Sequence, residues 1–558
     1  MSMQPRPWPE VPESTVRVAR AAFPKGSLAM RVRDELGPLF ADAQFAQAFG
    51  RRGRRGISPG QLALVSVLQF ADNLTDRQAA DAVRGRIDWK YALGLELSDP
   101  GFDHTVLTGF RGRLLEHGLE RRVLDVLLGR LGELGLVGGG GRQRTDSTHV
   151  LAVVRSLNAL ELVAETMRAA LEALAAAAPS WLAGHLDPAW LGRYGARVEG
   201  YRLPKHAAER DQLRLAVGRD GYRLLAAVTA TDAPAWLADL DAVKALHAVW
   251  LQRYSRTVTS DGEEVAWRAS GDRPPGGALI QTPYDPQVRY GEKRGVGWAG
   301  YKVHLTETCD GVATGRPQLI TNVATTDAAV PDARLTRRVH AGLAQRGLLP
   351  AEHLVDQGYT SAHLLVSSRS DHGVVLLGPV AGDSSPQGVA RTGFDHTAFA
   401  IDFDRQQVTC PQGVTTSNWT KTRDRSNLPI IIARFPTKIC RACPVRDHCT
   451  TARWTGRQLC FRPRDQHAAL VRARAEQATH AWRQRYATRA GIEATIHQAV
   501  ATTGMRRTRY VGLPKTHLGN IFAAAAVNLI RLDAYWTGTP LGKTRTTHLA
   551  RLALTLTA

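Results

Sequence analysis

The chain has 558 residues, which is too many for one ordinary hydrophobic core, so two or more domains are expected. A hydrophobic content of 44% with 22% charged residues is typical of a soluble globular protein and excludes a disordered one. The longest late apolar run, residues 521–530, is about half the length of a bilayer span. The N-terminus, MSMQPRPWPE, lacks the apolar stretch of a signal peptide. These features predict a cytoplasmic protein.

The charge is strongly positive and unevenly distributed. The net charge is +21, and residues 391–558 contain 26 Lys and Arg against 9 Asp and Glu, a net charge of +17. Such asymmetry favours a nucleic-acid partner, because basic side chains that neutralise phosphates release condensed counterions. A GC-rich genome, which favours arginine, is the alternative explanation. The charge pattern therefore favours a nucleic-acid partner, and for a cytoplasmic protein that binds DNA we expect association with the nucleoid.

The N-terminal part reads as an arm followed by helices. Residues 1–25 are rich in proline and predict a flexible, extended arm. Residues 26–137 have apolar side chains at helical spacing and predict an all-helical domain for DNA binding or dimerisation. Capping patterns at Ser58 and Thr75 start two short helices that resemble a helix-turn-helix unit, although a plain helical bundle is the preferred explanation. A basic run precedes these helices and is a candidate DNA contact: Arg51, Arg52, Arg54 and Arg55.

The middle of the chain has the pattern of an α/β domain. After a glycine run, residues 142–151 predict a strand that carries Asp146, and residues 152–297 predict a mainly helical insertion that ends in polar loops. Alternating strands then follow near residues 300–306 and 318–323, before helix–strand–helix–strand with Asp356 at the end of a strand. This order predicts a mixed sheet within a core whose first part is residues 138–381.

The last third combines a cysteine-containing insert with helices. Residues 382–465 predict an irregular insert, residues 466–535 the C-terminal helices of the core, and residues 536–558 a tail. The insert holds a cysteine group that could supply four thiolates to a structural Zn²⁺: Cys410, Cys440, Cys443 and Cys449. Reduced loop cysteines without a metal are the alternative.

Three carboxylates are candidates for the chemistry of phosphodiester cleavage. Two Mg²⁺ ions held by a few acids can activate the attacking oxygen and stabilise the leaving oxygen. Asp146 and Asp356 lie on predicted strands, and ligands gather at strand ends in α/β sheets. Only two glutamates follow Asp356, namely Glu476 and Glu493, and Glu493 is the better placed of the two.

The sequence around Glu493 supports that choice. Tyr486, Arg489 and Glu493 have the spacing of one helix face, which would present a ring for a base, a guanidinium for a phosphate and a metal ligand. Each residue also has an ordinary explanation. Asp146 and Asp356 could be turn or cap residues, and Arg489 with Glu493 could be a surface ion pair.

Together these motifs resemble a known family. Residues Thr145–His149, Gly300–His304, Leu354–Tyr359 and the pattern Tyr486-x2-Arg489-x3-Glu493 are similar to bacterial insertion-sequence transposases with an Asp-Asp-Glu triad. The most similar group is the eleven-eighty-two insertion-sequence family, and the resemblance runs from about residue 20 to 535. Its C-terminal end is carried by Arg506, Arg507, Arg509 and Tyr510 and by Asn528–Leu532.

The resemblance implies an RNase H-like catalytic domain that uses Mg²⁺ or Mn²⁺, with Asp146, Asp356 and Glu493 as catalytic, metal-binding triad. It implies double-stranded DNA partners, namely the terminal inverted repeats and target DNA, and a homodimer or higher oligomer assembled on DNA. Candidate DNA contacts besides the basic run are Lys302, Tyr486, Arg489, Arg506, Arg507 and Arg509. Related transposases have a Lys seven residues after the Glu, whereas this chain has Val500, so Arg506 or Arg507 could replace it.

Three other functions remain open at this stage. A nuclease on the same fold would cut DNA without joining it, and a transposase-derived DNA-binding protein would have no catalysis. A carboxylate-based glycosidase is possible in principle, but the basic last third suits a polyanion better. His149 and His304 are expected to pack or to contact phosphate rather than to bind metal.

Overall fold

The computed structural model describes residues 2–53, 55–155, 157–259, 262–293, 295–310 and 315–539, together with His548 and Leu552. Arg54 of the basic run and most of the predicted tail lie outside the described residues. Within the described part, the helices before the first strand are α1 Glu13–Ala22, α2 Leu28–Leu36, α3 Pro59–Ala71, α4 Asp76–Gly85, α5 Ile87–Leu93, α6 Thr105–Glu116 and α7 Arg122–Glu133.

The remaining helices fall into three groups. After the first strand come α8 Ala159–Ala177, α9 Pro179–His185, α10 Pro188–Tyr194, α11 Ala207–Val228 and α12 Asp241–Arg253. Between later strands lie α13 Ala333–Gln345, α14 Ala362–His372, α15 Pro386–Ala390, α16 Thr437–Arg441 and α17 Arg446–Cys449. The C-terminal group is α18 Arg464–Gln477, α19 His480–Ala487, α20 Gly491–Thr503 and α21 Leu513–Trp536.

The strands are β1 Arg142–Leu151, β2 Tyr254–Thr259, β3 Gly262–Trp267, β4 Arg289–Lys293, β5 Val296–Thr308, β6 Ile320–Asp327, β7 Glu352–Val355 and β8 Val375–Leu377. The later, shorter strands are β9 Ala400–Asp402, β10 Gln407–Thr409, β11 Thr415–Thr416, β12 Trp419–Arg423, β13 Pro429–Arg434 and β14 Gln458–Phe461.

The central sheet is mixed, as the sequence predicts. Its strands follow the order β4-β5-β1-β7-β8, and β6 pairs with the part of β5 that β4 leaves free. β1 is antiparallel to β5 and parallel to β7, which is in turn parallel to β8. β1 is almost wholly buried, so the acid that it carries lies inside the protein near the end of a short neighbouring strand.

The predicted extended arm is wrong for residues 13–22, which form α1. The prolines stop at Pro12, and the following sequence has the apolar stripe of an amphipathic helix. Ala19 is fully buried, and the Thr15 hydroxyl donates a 2.8 Å hydrogen bond to the Leu95 carbonyl. These contacts fix α1 against the helices that follow.

The two predicted helix starts in the N-terminal part are confirmed. The Ser58 hydroxyl accepts a 3.1 Å hydrogen bond from the Gln61 amide at the start of α3. Thr75 and Gln78 form a reciprocal capping box at the start of α4. However, nearly every side chain of α3 is buried, because α3 packs against α4, α6 and α21. α3 is therefore a core helix.

Both inserts contain more β-structure than the sequence suggests. In the insertion 152–297, β2 and β3 form a hairpin that packs on α11, and β4 pairs with the central sheet. The insert 382–465, predicted to be irregular, forms two small three-stranded sheets, β9–β11 and β12–β14. Each insert has its own hydrophobic core. The strands of the second insert are too short to show a clear alternating pattern.

The N-terminal helices and the central sheet share one continuous hydrophobic core, and α21 runs through it. Asn528 of α21 is fully buried at the edge strand β6. Its side chain accepts a 2.7 Å hydrogen bond from the Ile320 amide and donates a 2.9 Å hydrogen bond to the Ile320 carbonyl. The polar residue that interrupts the apolar run thus satisfies the backbone of a strand. In the described part of the chain, no helix is long and apolar enough to cross a membrane.

Replacement of Asn528 by Ala should destabilise the protein. The substitution leaves the Ile320 amide and carbonyl buried without partners, which costs about 1–3 kcal/mol of unfolding free energy. Urea denaturation of Asn528→Ala measures this loss. Lys515→Ala, at an exposed position of the same helix, is the matched control and should match the wild type; equal stability of the two variants would contradict the assigned role of Asn528.

Candidate active site

Asp146 and Asp356 are neighbours because of the register of two parallel strands. Thr145 of β1 lies opposite Val355 of β7, and each of these residues is followed in the chain by an aspartate. Asp146 is buried within β1, whereas Asp356 follows the last residue of β7 and is partly exposed. The sheet therefore places two carboxylates side by side at one strand end.

In each aspartate, one carboxylate oxygen is held by the backbone. Asp146 Oδ1 accepts a 2.7 Å hydrogen bond from the Ser147 amide, and Asp356 Oδ1 accepts a 2.9 Å hydrogen bond from the Gly358 amide. Asp356 thus caps the turn that follows β7, which agrees with the alternative role considered for it from the sequence. The Oδ2 atoms of both residues remain for other partners.

The third acid comes from the C-terminal helices. The predicted single helix face is wrong in detail, because α19 ends at Ala487 and a short 3₁₀ turn, Thr488–Ala490, precedes α20. Arg489 lies in this turn, and Glu493 in the first turn of α20. Glu493 is 67% exposed and Arg489 only 14%. Glu476, the other late glutamate, is exposed on α18.

Arg489 lies between the three acids. Its Nη2 atom is 2.5 Å from Asp146 Oδ2 and 3.9 Å from Asp356 Oδ2, and its Nη1 atom is 3.3 Å from Glu493 Oε1. We call Asp146, Asp356 and Glu493 the acid cluster. Arg489 therefore contacts acids from three distant segments of the chain. The alternative explanation, in which Arg489 and Glu493 form only a surface ion pair, does not account for the contacts with the two aspartates.

Burial disfavours the charged form of one member of the acid cluster, Asp146. It raises the pKa of Asp146, although Arg489 and Lys293 both act in the opposite direction. Lys293, an exposed residue of β4, reaches within 3.5 Å of the Ser147 carbonyl oxygen. The site is therefore poorly solvated on the side of β1, and a cation is needed to stabilise its carboxylates.

A second buried carboxylate fixes the helix that carries Glu493. Glu307 of β5 is fully buried, and its Oε1 atom accepts a 2.7 Å hydrogen bond from Arg144 Nε. Its Oε2 atom accepts hydrogen bonds from the Thr495 hydroxyl at 2.6 Å and from Arg531 Nη1 at 2.7 Å. Glu307 thus ties β5 to β1, α20 and α21.

Arg144 extends this network to the 3₁₀ turn. Its Nη1 atom donates a 2.5 Å hydrogen bond to the Thr488 carbonyl. A Cβ atom at Gly491 would lie 2.1 Å from the same Nη1 atom. The glycine at the start of α20 is therefore required for the helix to approach Arg144. Sequence reasoning missed Glu307 and Arg144, although charged residues at buried strand positions were the available signal.

The two histidines near the site have packing roles, as expected. His304 is fully buried, its Nδ1 atom is 2.5 Å from the Tyr359 hydroxyl, and burial lowers its pKa to about 3, so the ring is neutral at physiological pH. His149 contacts Arg506 Nη1 at 2.8 Å and packs against Trp298.

The other candidate DNA contacts divide into internal and exposed residues. Lys302 Nζ donates a 2.6 Å hydrogen bond to Asp332, and Arg506 Nη1 donates a 2.8 Å hydrogen bond to Thr148. Arg509 hydrogen-bonds to the turn after α3 through Asn73. These three charges have partners inside the protein. Tyr486 stacks on Trp482, and the exposed members of the set are Arg51, Arg52, Arg55 and Arg507.

Four of the five cysteines in the second insert come together in space. Cys410, Cys440, Cys443 and Cys449 line one small cavity of about 40 Å³, beside the core of the two small sheets. Their number and type suit Zn²⁺. Yet the described residues contain no group of three or more His, Cys, Asp or Glu side chains assembled to hold a metal. The zinc prediction is therefore not confirmed.

The same test applies to the acid cluster. Its carboxylate oxygens are the ligands that Mg²⁺ and Mn²⁺ prefer, so the donor set fits these ions in kind. The oxygens are spaced around the guanidinium of Arg489 rather than gathered around a single point, in agreement with the lack of an assembled metal group among the described residues.

Comparisons with known proteins give two matches. Residues 17–113 match the family described as Transposase domain (DUF772), and residues 409–533 match the family described as Transposase DDE domain. The second match contains Arg489 and Glu493 and lies outside the strands with the two aspartates. A search of curated proteins found no match.

The two matches support an insertion-sequence transposase of the DDE class, and this confirms the class that the motifs predict. They do not identify the insertion-sequence family, so membership of the eleven-eighty-two family stays a prediction. The mixed α/β fold is consistent with that class.

Replacement of Glu307 by Gln should destabilise the junction of sheet and helices. The buried guanidinium of Arg144 and the largely buried guanidinium of Arg531 would lose their counterion, which costs about 3 kcal/mol or more of unfolding free energy. Glu133→Gln removes an acid from an exposed ion pair and should cost less than about 1 kcal/mol. Denaturant unfolding compares the two variants. A Glu307→Gln protein as stable as the Glu133→Gln protein would refute the assigned role of Glu307.

Proposed function

We propose that this transposase binds the inverted-repeat ends of its element and catalyses metal-dependent DNA cleavage and strand transfer. The observation that carries the proposal is the convergence of Asp146, Asp356 and Glu493 on one cation from three distant segments. A fold that had no use for the three acids would not need to gather them at a partly open strand end. A DNA-binding protein without catalysis explains this convergence poorly.

The acid cluster would hold Mg²⁺ or Mn²⁺ through its three carboxylates. Bound divalent ions supply alignment of the attacking oxygen with the phosphorus and stabilisation of the charge on the leaving oxygen. The backbone bonds to Asp146 Oδ1 and Asp356 Oδ1 keep both side chains in position, so that the Oδ2 atoms face the reaction site. Carboxylates that are fixed in this way before the substrate binds lower the entropic cost of reaching the reactive geometry.

The DNA would be bound by the residues around this cluster. Arg489 provides a guanidinium for a phosphate next to the scissile bond. Tyr486 stacks on Trp482, with 4.7 Å between ring centroids, and its half-buried ring would stack on a displaced base. The exposed arginines Arg51, Arg52, Arg55 and Arg507 would bind duplex phosphates without reading the sequence.

We also propose an RNase H-like core, supported by the strand order β6-β5-β1-β7-β8 and by the two parallel pairs on one side of β1. The domain division proposed from the sequence uses this core with the insertion 152–297 and the cysteine insert 382–465. A homodimer or higher oligomer on DNA belongs to the same proposal, because two element ends must be held together for strand transfer.

Asp146→Asn, Asp356→Asn and Glu493→Gln should each abolish DNA cleavage while DNA binding persists. Loss of one metal-binding or charge-stabilising group is expected to lower the cleavage rate about 100-fold or more. The rate is measured on labelled duplexes that contain the inverted repeats flanking the gene, with Mg²⁺ or Mn²⁺. Binding is measured by gel shift.

Glu476→Gln is the matched control, since it removes the other late glutamate from an exposed helix position. Normal cleavage by Glu493→Gln together with loss of cleavage by Glu476→Gln would overturn the choice of glutamate. Cleavage without joining of ends to a target plasmid would identify the protein as a nuclease on the same fold.

The cysteine cavity gives a separate prediction. If the thiolates bind a structural Zn²⁺, purified protein contains about one zinc per chain, and Cys440→Ser lowers the folding yield. Cys309→Ser is the control, because Cys309 is buried next to the central sheet, away from the cavity. Elemental analysis without zinc, in protein prepared without chelator, would refute this prediction.

A further inference from the structure

Arg489 occupies the position toward which the free oxygens of the acid cluster point. Both Oδ2 atoms of the aspartates and Oε1 of Glu493 lie within 3.9 Å of its guanidinium nitrogens. The Oδ1 atoms are already bound to backbone amides. The guanidinium therefore contacts the same oxygens that a divalent cation would require.

The contacts of Arg489 are also incomplete. Its Nε atom is buried and has no hydrogen-bond partner among the described residues. A buried guanidinium normally has its donors satisfied, so this one is not held by a full set of bonds. Arg489 lies in the short turn Thr488–Ala490, between α19 and α20.

Charge gives the reason for this arrangement. Three carboxylates in a poorly solvated site repel one another unless a cation neutralises them. Lys293 acts on Asp146 from the rim, but only Arg489 contacts all three acids among the described residues. In the protein without DNA, Arg489 is thus the neutralising cation.

We propose that Arg489 is a resident counter-cation that excludes divalent metal from the acid cluster until DNA arrives. When DNA binds, the guanidinium of Arg489 pairs with a DNA phosphate instead of with the carboxylates. The released carboxylate oxygens then bind metal, so that metal binding and DNA binding are coupled. This inference rests on the proposed function, since it requires that the acid cluster bind metal. Such coupling means that the acid cluster binds metal, and becomes able to cleave, only when DNA is bound.

The test measures Mn²⁺ binding rather than activity. Full-length wild type, Arg489→Gln and Arg485→Gln are titrated with Mn²⁺ and followed by electron paramagnetic resonance, with and without a duplex containing the flanking inverted repeat. Arg485→Gln is the matched control, because it removes one charge from the preceding helix, where Arg485 pairs with Glu352 at the other end of β7.

Without DNA, Arg489→Gln should bind Mn²⁺ about tenfold more tightly than the wild type, a size usual for coupling between two sites. Arg485→Gln should match the wild type. The duplex should strengthen Mn²⁺ binding to the wild type and strengthen binding to Arg489→Gln much less. Equal Mn²⁺ affinities of Arg489→Gln and the wild type without DNA would overturn the inference.

Failure of the proposed function has a different outcome. If the complex of Asp146→Asn with DNA binds Mn²⁺ as tightly as the complex of the wild type with DNA, the acid cluster is not the metal site. If Asp146→Asn abolishes binding but Arg489→Gln has no effect, the metal site stands and only the role of Arg489 is refuted. Should Arg489→Gln not fold, identical Mn²⁺ affinities of wild type with and without the duplex refute the coupling.

Discussion

The buried carboxylate of Glu307 joins the central sheet to the helices that carry the third acid. One of its oxygens binds Arg144 of β1, and the other binds Thr495 of α20 and Arg531 of α21. A buried charge must keep its partners, so these elements cannot shift separately. Arg144 lies two residues before Asp146, and Thr495 two residues after Glu493. The distance between the first and third acids therefore depends on a network that contains neither of them.

The two kinds of carboxylate in this region differ in their surroundings. Glu307 is fully buried and neutralised by two arginines on opposite sides. The acid cluster is graded in exposure, from 8% for the Asp146 side chain to 31% for Asp356 and 67% for Glu493. A carboxylate that is closed off on all sides can only stabilise the fold. A set of carboxylates that opens toward solvent on one side can accept a ligand, which distinguishes the two networks although both contain arginine.

The sequence predicts the local features of the site well. β1 is a strand that carries Asp146 among Thr and Val, and β7 ends with an apolar pair before Asp356. The contact of Arg489 with Glu493 agrees with their predicted spacing. The motifs at Asp146, Asp356 and Glu493 need only short stretches of chain to be recognised. The approach of the two aspartates follows from the parallel register of β1 and β7, which the order of elements alone does not determine.

What the sequence could not give depends on contacts between distant residues. Glu307 reads as an ordinary polar position in a strand, and nothing nearby shows that Arg144 and Arg531 neutralise it. α3 has the sequence of a helix start in a small bundle, but its burial depends on α21, more than 400 residues later. Lys302 forms an internal bond for the same reason, because its partner Asp332 belongs to a separate segment.

The basic last third of the chain shows how far a charge count can be used. Arg457, Arg509 and Arg531 all contribute to the net charge of +17, yet each donates hydrogen bonds within the protein. A guanidinium whose donors are occupied adds to the long-range field but offers few N–H groups to a phosphate. By contrast, Arg472 of α18 and Arg483 of α19 are exposed on the helices that precede Glu493 in the chain. Composition thus indicates the sign of the partner's charge. The surface that binds the partner depends on which arginines the fold leaves exposed and without internal hydrogen bonds.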